Sequence, residues 1–181
     1  LIDPDWLNEM RQTFDQLVEK EGDQSAIEHH KEDKATRLAN LVNKGIVWEK
    51  VWSHPLMLAA CAHVFKGDFK VSSLNGREAL KNGGHQVLHG DWKKPRPDFP
   101  NVHVLNSIWA IDDLSRENGS PRIIGGTHNR KELPENVLSD PNAPHPEEVV
   151  LECPAGSVMI FNAHTWHGGT TNKNGDRRRV L

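Results

Sequence analysis

Apolar and polar positions change rhythm once along this chain, close to Asp68. Before that point the spacing is helical: Trp6, Leu7, Met10, Phe14, Leu17 and Val18 recur on one face, with Asp3-Pro4 as a start signal and Gly22 as a stop. Helical spacing returns through Leu38, Leu41 and Val42. It runs again from Val47 to Val64, restarting at Pro55, where a proline fits a first helical position. Between these stretches, Glu21 to Lys34 is charged and without period, which predicts a surface loop acting as a solvated connector rather than as a cover for a site.

From Asp68 onward the apolar runs are short, β-prone and separated by Gly, Pro, Asn and Asp. Strands are predicted at Phe69–Leu74, Gln86–Asp91, Val102–Ile111, Pro121–Ile124, Glu148–Glu152, Ser157–Phe161 and Arg178–Leu181. Short strands with turn signals between them point to a sandwich or jelly roll. The expected fold class is therefore mainly β with N-terminal α-helices, as a single domain with a helical part at 1–66 and a β core at 67–181. The chain begins at Leu1 and stops inside its last predicted strand, so both ends are read as trimmed. Leu133 to Pro146, rich in Pro, Asn and Asp, is expected to be a loop of the kind that selects substrates.

Composition narrows the partners. At 181 residues the chain can bury one core, and a formal charge of −3 gives no reason to expect nucleic acid or an anionic membrane surface. No apolar run is long enough to span a bilayer. Cys61 and Cys153 lie far apart among core-like residues, so free thiols and a reducing, cytoplasmic setting are expected.

The candidate chemistry centres on Gln86-Val87-Leu88-His89-Gly90-Asp91. Alternate residues of an extended segment share a face, so His89 and Asp91 can reach one metal ion from the same side. A third ligand from a distant strand would complete a facial triad with open positions, the arrangement of non-haem Fe(II) oxygenases. His-x-Asp alone is common, and a strand-face hydrogen-bonded pair is its ordinary reading. Corroboration comes from His167 in Asn162-Ala163-His164-Thr165-Trp166-His167-Gly168, followed eleven residues later by Arg178. A guanidinium at the inner end of a pocket is suited to a bidentate grip on a carboxylate. His164 is a rival for the third position.

Several other residues are expected to be ordinary. Arg177 and Arg179 should face away from Arg178 and be solvated or paired with surface acids, and Arg77 is expected in a surface salt bridge rather than on a substrate carboxylate. His29, His30 and His54 are not expected to reach a metal. Lys93, Lys94 and Arg96 are the one basic cluster near the presumed mouth. Two other classes fit the same residues: a non-catalytic metal- or ligand-binding β-barrel, and a Zn or Mn barrel hydrolase or isomerase.

Taken in order, Gln86-x-x-His89-x-Asp91, the Trp109 strand ending Asp112-Asp113, Glu117-Asn118-Gly119, Gly126-Thr127-His128, and His167-Gly168 with Asn172 and Arg178 resemble the phytanoyl-CoA dioxygenase family. The resemblance implies a double-stranded β-helix that uses Fe(II), 2-oxoglutarate and O₂, helped by ascorbate in vitro. It also implies hydroxylation, or another oxidation, of an unactivated C–H bond in a small organic substrate, with release of succinate and CO₂. By position, His89, Asp91 and His167 would be the iron ligands and Arg178 would bind the distal carboxylate of 2-oxoglutarate. Gln86 and Trp109 would line that pocket. The acid at Asp91 implies oxygenation rather than halogenation, and Asn118-Gly119 and His128 would shape a turn and support the barrel. The sequence departs from the family at Gly125-Gly126-Thr127-His128, where Pro-Gly-Ser-His is usual. It departs again at Gly169, where members carry a serine able to bond 2-oxoglutarate, and at Pro121, where others have threonine.

Overall fold

The computed structural model describes residues 2–29, 32–92 and 102–181. Helix α1 (Pro4–Glu21) starts as its sequence signals: Asp3 Oδ1 accepts the Trp6 N–H at 2.9 Å, Pro4 opens the first turn, and Gly22 ends the helix with φ +50°. Its buried face, Trp6, Leu7, Met10 and Phe14, packs into the main core with Leu38, Leu41, Trp48, Trp109 and Ile111, and the Trp6 indole N–H donates to the Val47 carbonyl at 2.9 Å. After α1 come β1 (Ala35–Leu38), α2 (Glu49–Ser53), α3 (Pro55–Phe65), β2 (Gly76–Ala79), β3 (Leu105–Trp109), β4 (Pro121–Ile124), α4 (Pro134–Val137), β5 (Glu148–Val150), β6 (Val158–Asn162), β7 (His167–Gly169) and β8 (Arg179–Val180). The strands form three antiparallel sheets among the described residues, in the orders β1-β2-β8, β3-β6 and β5-β4-β7.

Several sequence expectations need correction. The stretch read as helix through Leu38, Leu41 and Val42 is strand β1 followed by a 3₁₀ turn at Leu41–Asn43. Three residues at i, i+3, i+4 spacing also fit a strand end plus a turn, and pairing of β1 with distant β2 decides between them. The N-terminal part is thus not purely helical. Phe69–Leu74 is not a strand; the pairing residues are Gly76–Ala79, whose charged Arg77 and Glu78 are both buried, hiding the strand from a hydrophobicity reading. Gln86–Asp91 is extended but irregular, with a single bridge at His89. The Leu133–Pro146 loop contains the short helix α4. Both thiols are free, Cys61 buried and Cys153 half-buried.

The helical layer is tied to the last strand by charge. Asp15 on α1 takes two bonds from Arg177 (2.9 and 2.7 Å), whose Nε also donates to Glu78 at 2.8 Å. Arg179 grips Asp112 through Nε and Nη2 (2.8 and 2.7 Å) and reaches Asp15 at 3.1 Å. Arg177 and Arg179 thus point to acids on one side and leave Arg178 on the other, as strand alternation requires. Arg179 is buried, not solvated.

Burial alone would raise the Asp112 pKa, but the Arg179 guanidinium and backbone N–H outweigh it and hold it below the ordinary 3.8. A depressed carboxylate stabilises the fold above its unfolded pKa, and that contribution disappears as pH falls through the native value. Thermal melts should therefore fall off below about pH 4. Asp112→Asn should cost on the order of 2 kcal/mol at neutral pH and flatten that acid limb, measured by melting temperature against pH.

Candidate metal and carboxylate site

Two backbone segments far apart in sequence meet at the site. His89 and His167 exchange both backbone bonds, His89 N–H to His167 O and the reverse, each 2.9 Å. The pairing continues at Gln86 N–H to Gly169 O and Asp91 N–H to Ala163 O, both 2.9 Å, with the register slipping between pairs. That slip breaks the regular ladder around a strand-like segment. Gly168 permits the approach, since a Cβ there would lie 2.9 Å from the carbonyl oxygens of both Gln86 and Val87.

The side chains converge accordingly. Among the described residues, His89, Asp91 and His167 form the group of three whose potential ligand atoms all lie within 4.8 Å of one another. His167 Nε2 is 3.3 Å from Asp91 Oδ2, His89 Nε2 is 3.6 Å from Asp91 Oδ1, and the two rings are 4.4 Å apart. Each imidazole is oriented by its own chain: Nδ1 of His89 is 2.8 Å from the Val87 carbonyl and Nδ1 of His167 is 2.9 Å from that of Thr165. A carbonyl only accepts, so the proton resides on Nδ1 and the Nε2 lone pairs are turned to the shared point. The donor set of two imidazoles and one carboxylate suits a divalent transition metal.

Electrostatics agree. Burial lowers the His89 pKa, with the His167 charge adding to it. At His167 burial is outweighed by the Asp91 carboxylate, and its pKa is raised. Asp91 is held below its ordinary value despite burial, by His167 first, then His89 and Asn106. The Asp91 carboxylate is the group that favours positive charge at the centre of the cluster. Asn106 on β3, which no sequence signal marked, donates Nδ2–H to Asp91 Oδ2 at 2.5 Å and fixes the carboxylate's rotation.

Arg178 is fully buried, and none of its three guanidinium nitrogens has a hydrogen-bond partner among the described residues. Burial, with the nearby Arg77 charge adding to it, pulls its pKa down to about 9. A buried charge without a counter-ion is costly, which makes this a position built to receive an anion. Asn172 braces the turn before Arg178 by donating to the Ala79 and Asp176 carbonyls (2.9 Å each), and Asn118 clasps the Asp113 and Arg177 carbonyls at 2.7 and 3.3 Å.

The remaining predicted residues are placed differently. Gln86 is beside the triad, but its side chain is engaged by the protein: Oε1 accepts the Gly169 N–H at 3.0 Å and Nε2 donates to Glu32 at 2.6 Å. Trp109 is not brought to the triad. It is buried in the main core edge-on to Trp6 and His54, with its N–H on Ser107 Oγ at 3.0 Å. His164 is buried but lies outside the metal-competent group. Arg77 is not in a surface salt bridge; it is buried and pairs with Glu32 at 3.2 Å. Glu32 belongs to the stretch read as a solvated connector, yet it lines a cleft of about 300 Å³ shared with His85, Gln86, His89 and Asn142. Lys93, Lys94, Arg96 and His30 lie outside the described residues.

The loop after β4 is fastened to the same segment. Arg122 donates to Glu148 (2.9 Å), the Ala143 carbonyl (3.1 Å) and the Gln86 carbonyl (3.2 Å), and the Leu88 N–H donates to Pro141 O at 2.9 Å.

Compared with known proteins, residues 1–180 match the phytanoyl-CoA dioxygenase (PhyH) family. The chain belongs to the phytanoyl-CoA dioxygenase family. Among relatives of this family, it is 27% identical over 190 residues to Dioxygenase trt7 of Aspergillus terreus, covering 98% of this chain and 64% of that protein. It is 28% identical over 163 residues to the Fe(II)/2-oxoglutarate-dependent dioxygenase nvfF of Aspergillus novofumigatus, covering 86% and 52%. Over 89 residues it is 33% identical to an uncharacterised protein of Mycobacterium tuberculosis, covering 46% of this chain and 31% of that one. The chain thus spans between about a third and two thirds of these relatives' length. In fold it is similar to HygX of Streptomyces hygroscopicus, solved with nickel, 2-oxoglutarate and hygromycin B, at a TM-score of 0.76 and 15% identity over 99% of this chain and 77% of that one. No helix among the described residues is long and apolar enough to cross a membrane.

Because Gly168 admits the strand that carries His89, Gly168→Ala should separate the two imidazoles. Its affinity for Ni(II), measured by calorimetry, should fall roughly ten- to hundred-fold with the helical core intact by circular dichroism.

Proposed function

We propose that this chain is an Fe(II)- and 2-oxoglutarate-dependent oxygenase that oxidises an unactivated C–H bond of a small organic molecule, on a double-stranded β-helix scaffold. The observation that carries the reading is the combination of a three-residue metal-competent cluster with a buried, unpartnered guanidinium in the same part of the fold. A metal site alone would serve a hydrolase or a binding module, but neither requires an uncompensated cation prepared for a carboxylate. Family membership and the fold shared with HygX support the same conclusion.

In this reading His89, Asp91 and His167 hold the metal through Nε2, a carboxylate oxygen and Nε2. Asn106 keeps the Asp91 carboxylate from rotating out of place. Arg178 receives the distal carboxylate of 2-oxoglutarate, and the charge pair removes the cost of burying the guanidinium. Fe(II), when bound, supplies the coupled chemistry: 2-oxoglutarate, O₂ and R–H give succinate, CO₂ and R–OH, one oxygen atom going to succinate and the other to the alcohol. Asp91 occupies a ligand position with an acid, which favours oxygenation over halide transfer. Gln86 acts by bracing Gly169 and Glu32 rather than by contacting the co-substrate itself. The 133–146 segment, tied by Arg122 to the metal-bearing strand, selects the substrate and decides between hydroxylation, desaturation and ring closure.

Incubation with Fe(II), ascorbate, O₂ and 2-oxoglutarate should release succinate. Asp91→Ala should abolish it, while Arg178→Ala should raise the 2-oxoglutarate requirement by about two orders of magnitude, the loss expected for a buried bidentate charge pair. Succinate release that ignores both substitutions, or activity supported by Zn(II) without 2-oxoglutarate, would refute the assignment.

A further inference from the structure

Arg77 is the one feature of the site that the proposed chemistry leaves unexplained. It lies in the middle of β2, buried, next to β8 through the Arg77–Val180 pair. Its Nε donates to Glu32 at 3.2 Å and its Nη2 to the Gly84 carbonyl at 2.5 Å. Gly84 is also where Arg178 arrives, since a Cβ built on Gly84 would be 3.7 Å from Arg178 Nη2. Two buried guanidinium groups therefore converge on one glycine. Like charges are brought together at such a place when an anion is to lie between them.

Glu32 satisfies only part of this arrangement. It also takes Arg37 Nη2 at 2.9 Å and Gln86 Nε2 at 2.6 Å, so the acid already accepts from three donors. With Nε on Glu32 and Nη2 on Gly84, Nη1 of Arg77 makes no hydrogen bond among the described residues, and it lies against Gly169: a Cβ there would be 2.9 Å from it. Gly169 is two residues beyond His167, so glycine at this position clears the space that Nη1 uses. A carboxylate offers about four acceptor positions, and the Arg178 fork fills two.

The geometry points to Arg77 as a second guanidinium of the 2-oxoglutarate subsite, donating Nη1–H to the distal carboxylate, with Glu32 as the positioning residue that holds its fork. This rests on the oxygenase reading above. Glu32 has a further effect, because it balances the Arg77 charge and leaves the subsite one uncompensated cation, matched to one carboxylate. The stretch before β1 thereby becomes part of the co-substrate pocket.

The test is binding rather than turnover. Calorimetry on Ni(II)-loaded protein compares 2-oxoglutarate with pyruvate, which has the keto acid but no distal carboxylate. The comparison variant is Arg77→Gln with Glu32→Gln, an amide pair of similar shape that removes both charges of the Arg77–Glu32 pair together. This variant should bind 2-oxoglutarate about ten-fold more weakly, the loss expected for one charge-assisted bond, with pyruvate and Ni(II) affinities within about two-fold of the parent. Should the pair fail to fold, Arg77→Lys keeps the ion pair but loses the fork, and carries the same expectation. Equal losses for 2-oxoglutarate and pyruvate, or none for either, would make Arg77–Glu32 a structural ion pair and overturn the inference alone. Parent protein that binds Ni(II) but not 2-oxoglutarate would overturn the oxygenase reading and this inference together.

Discussion

The reciprocal backbone pairing of His89 with His167 is the constraint on which the site depends. It joins an irregular segment after β2 to the short strand β7 and sets two imidazole rings 4.4 Å apart. Backbone pairs fix the spacing of side chains on a shared face, so the metal-competent geometry is held by the sheet and not by the ligands themselves. Gly168 is the condition for it, because no side chain fits between the two backbones there. The carbonyls of Val87 and Thr165 then set the tautomer of each ring, and Asn106 sets the rotation of Asp91. Each ligand is thus oriented by a neighbour that makes no direct claim on the metal.

Charge is distributed around the last strand in two opposed ways. On one side Arg177 and Arg179 are met by Asp15, Glu78 and Asp112, joining α1 to the last strand through pairs that range from the buried Arg179–Asp112 to the exposed Arg177–Asp15. On the other side the Arg178 guanidinium hydrogen-bonds to no acid among the described residues. Three consecutive arginines therefore serve two ends: the flanking pair secures the strand, and the strand holds the central one where its charge is uncompensated. A buried guanidinium without a partner destabilises the fold, and α1 with its acids offsets that cost at the same strand. Such a local cost, retained beside a metal-competent cluster, is a mark of function.

The loop after β4 and the stretch before β1 both close on the irregular segment that bears His89. Arg122 and the Leu88 N–H fasten the former, and the Glu32 carboxylate fastens the latter. The two contributors come from opposite sides of that segment in the sequence. They meet because the register slip between residues 86 and 91 leaves that segment's polar groups open to bonding from loops rather than from a regular neighbouring strand.

The sequence by itself determined local elements and residue chemistry. Asp3-Pro4 and the apolar face of α1, the strand at Pro121–Ile124, the alternation around Arg178, and the grouping of His89 and Asp91 with His167 were legible, because capping, period and residue chemistry are local properties. The tertiary structure decided what depends on distant partners. Arg77 read as a surface residue until β1 and β8 cover it; Glu32 read as connector until Arg77 and Gln86 receive it; Trp109 read as pocket lining until Trp6 and His54 enclose it; Asn106 carried no signal because its role exists only where β3 passes Asp91. Burial and charge pairing are set by neighbours remote along the chain, and a local pattern holds no record of which neighbours will arrive.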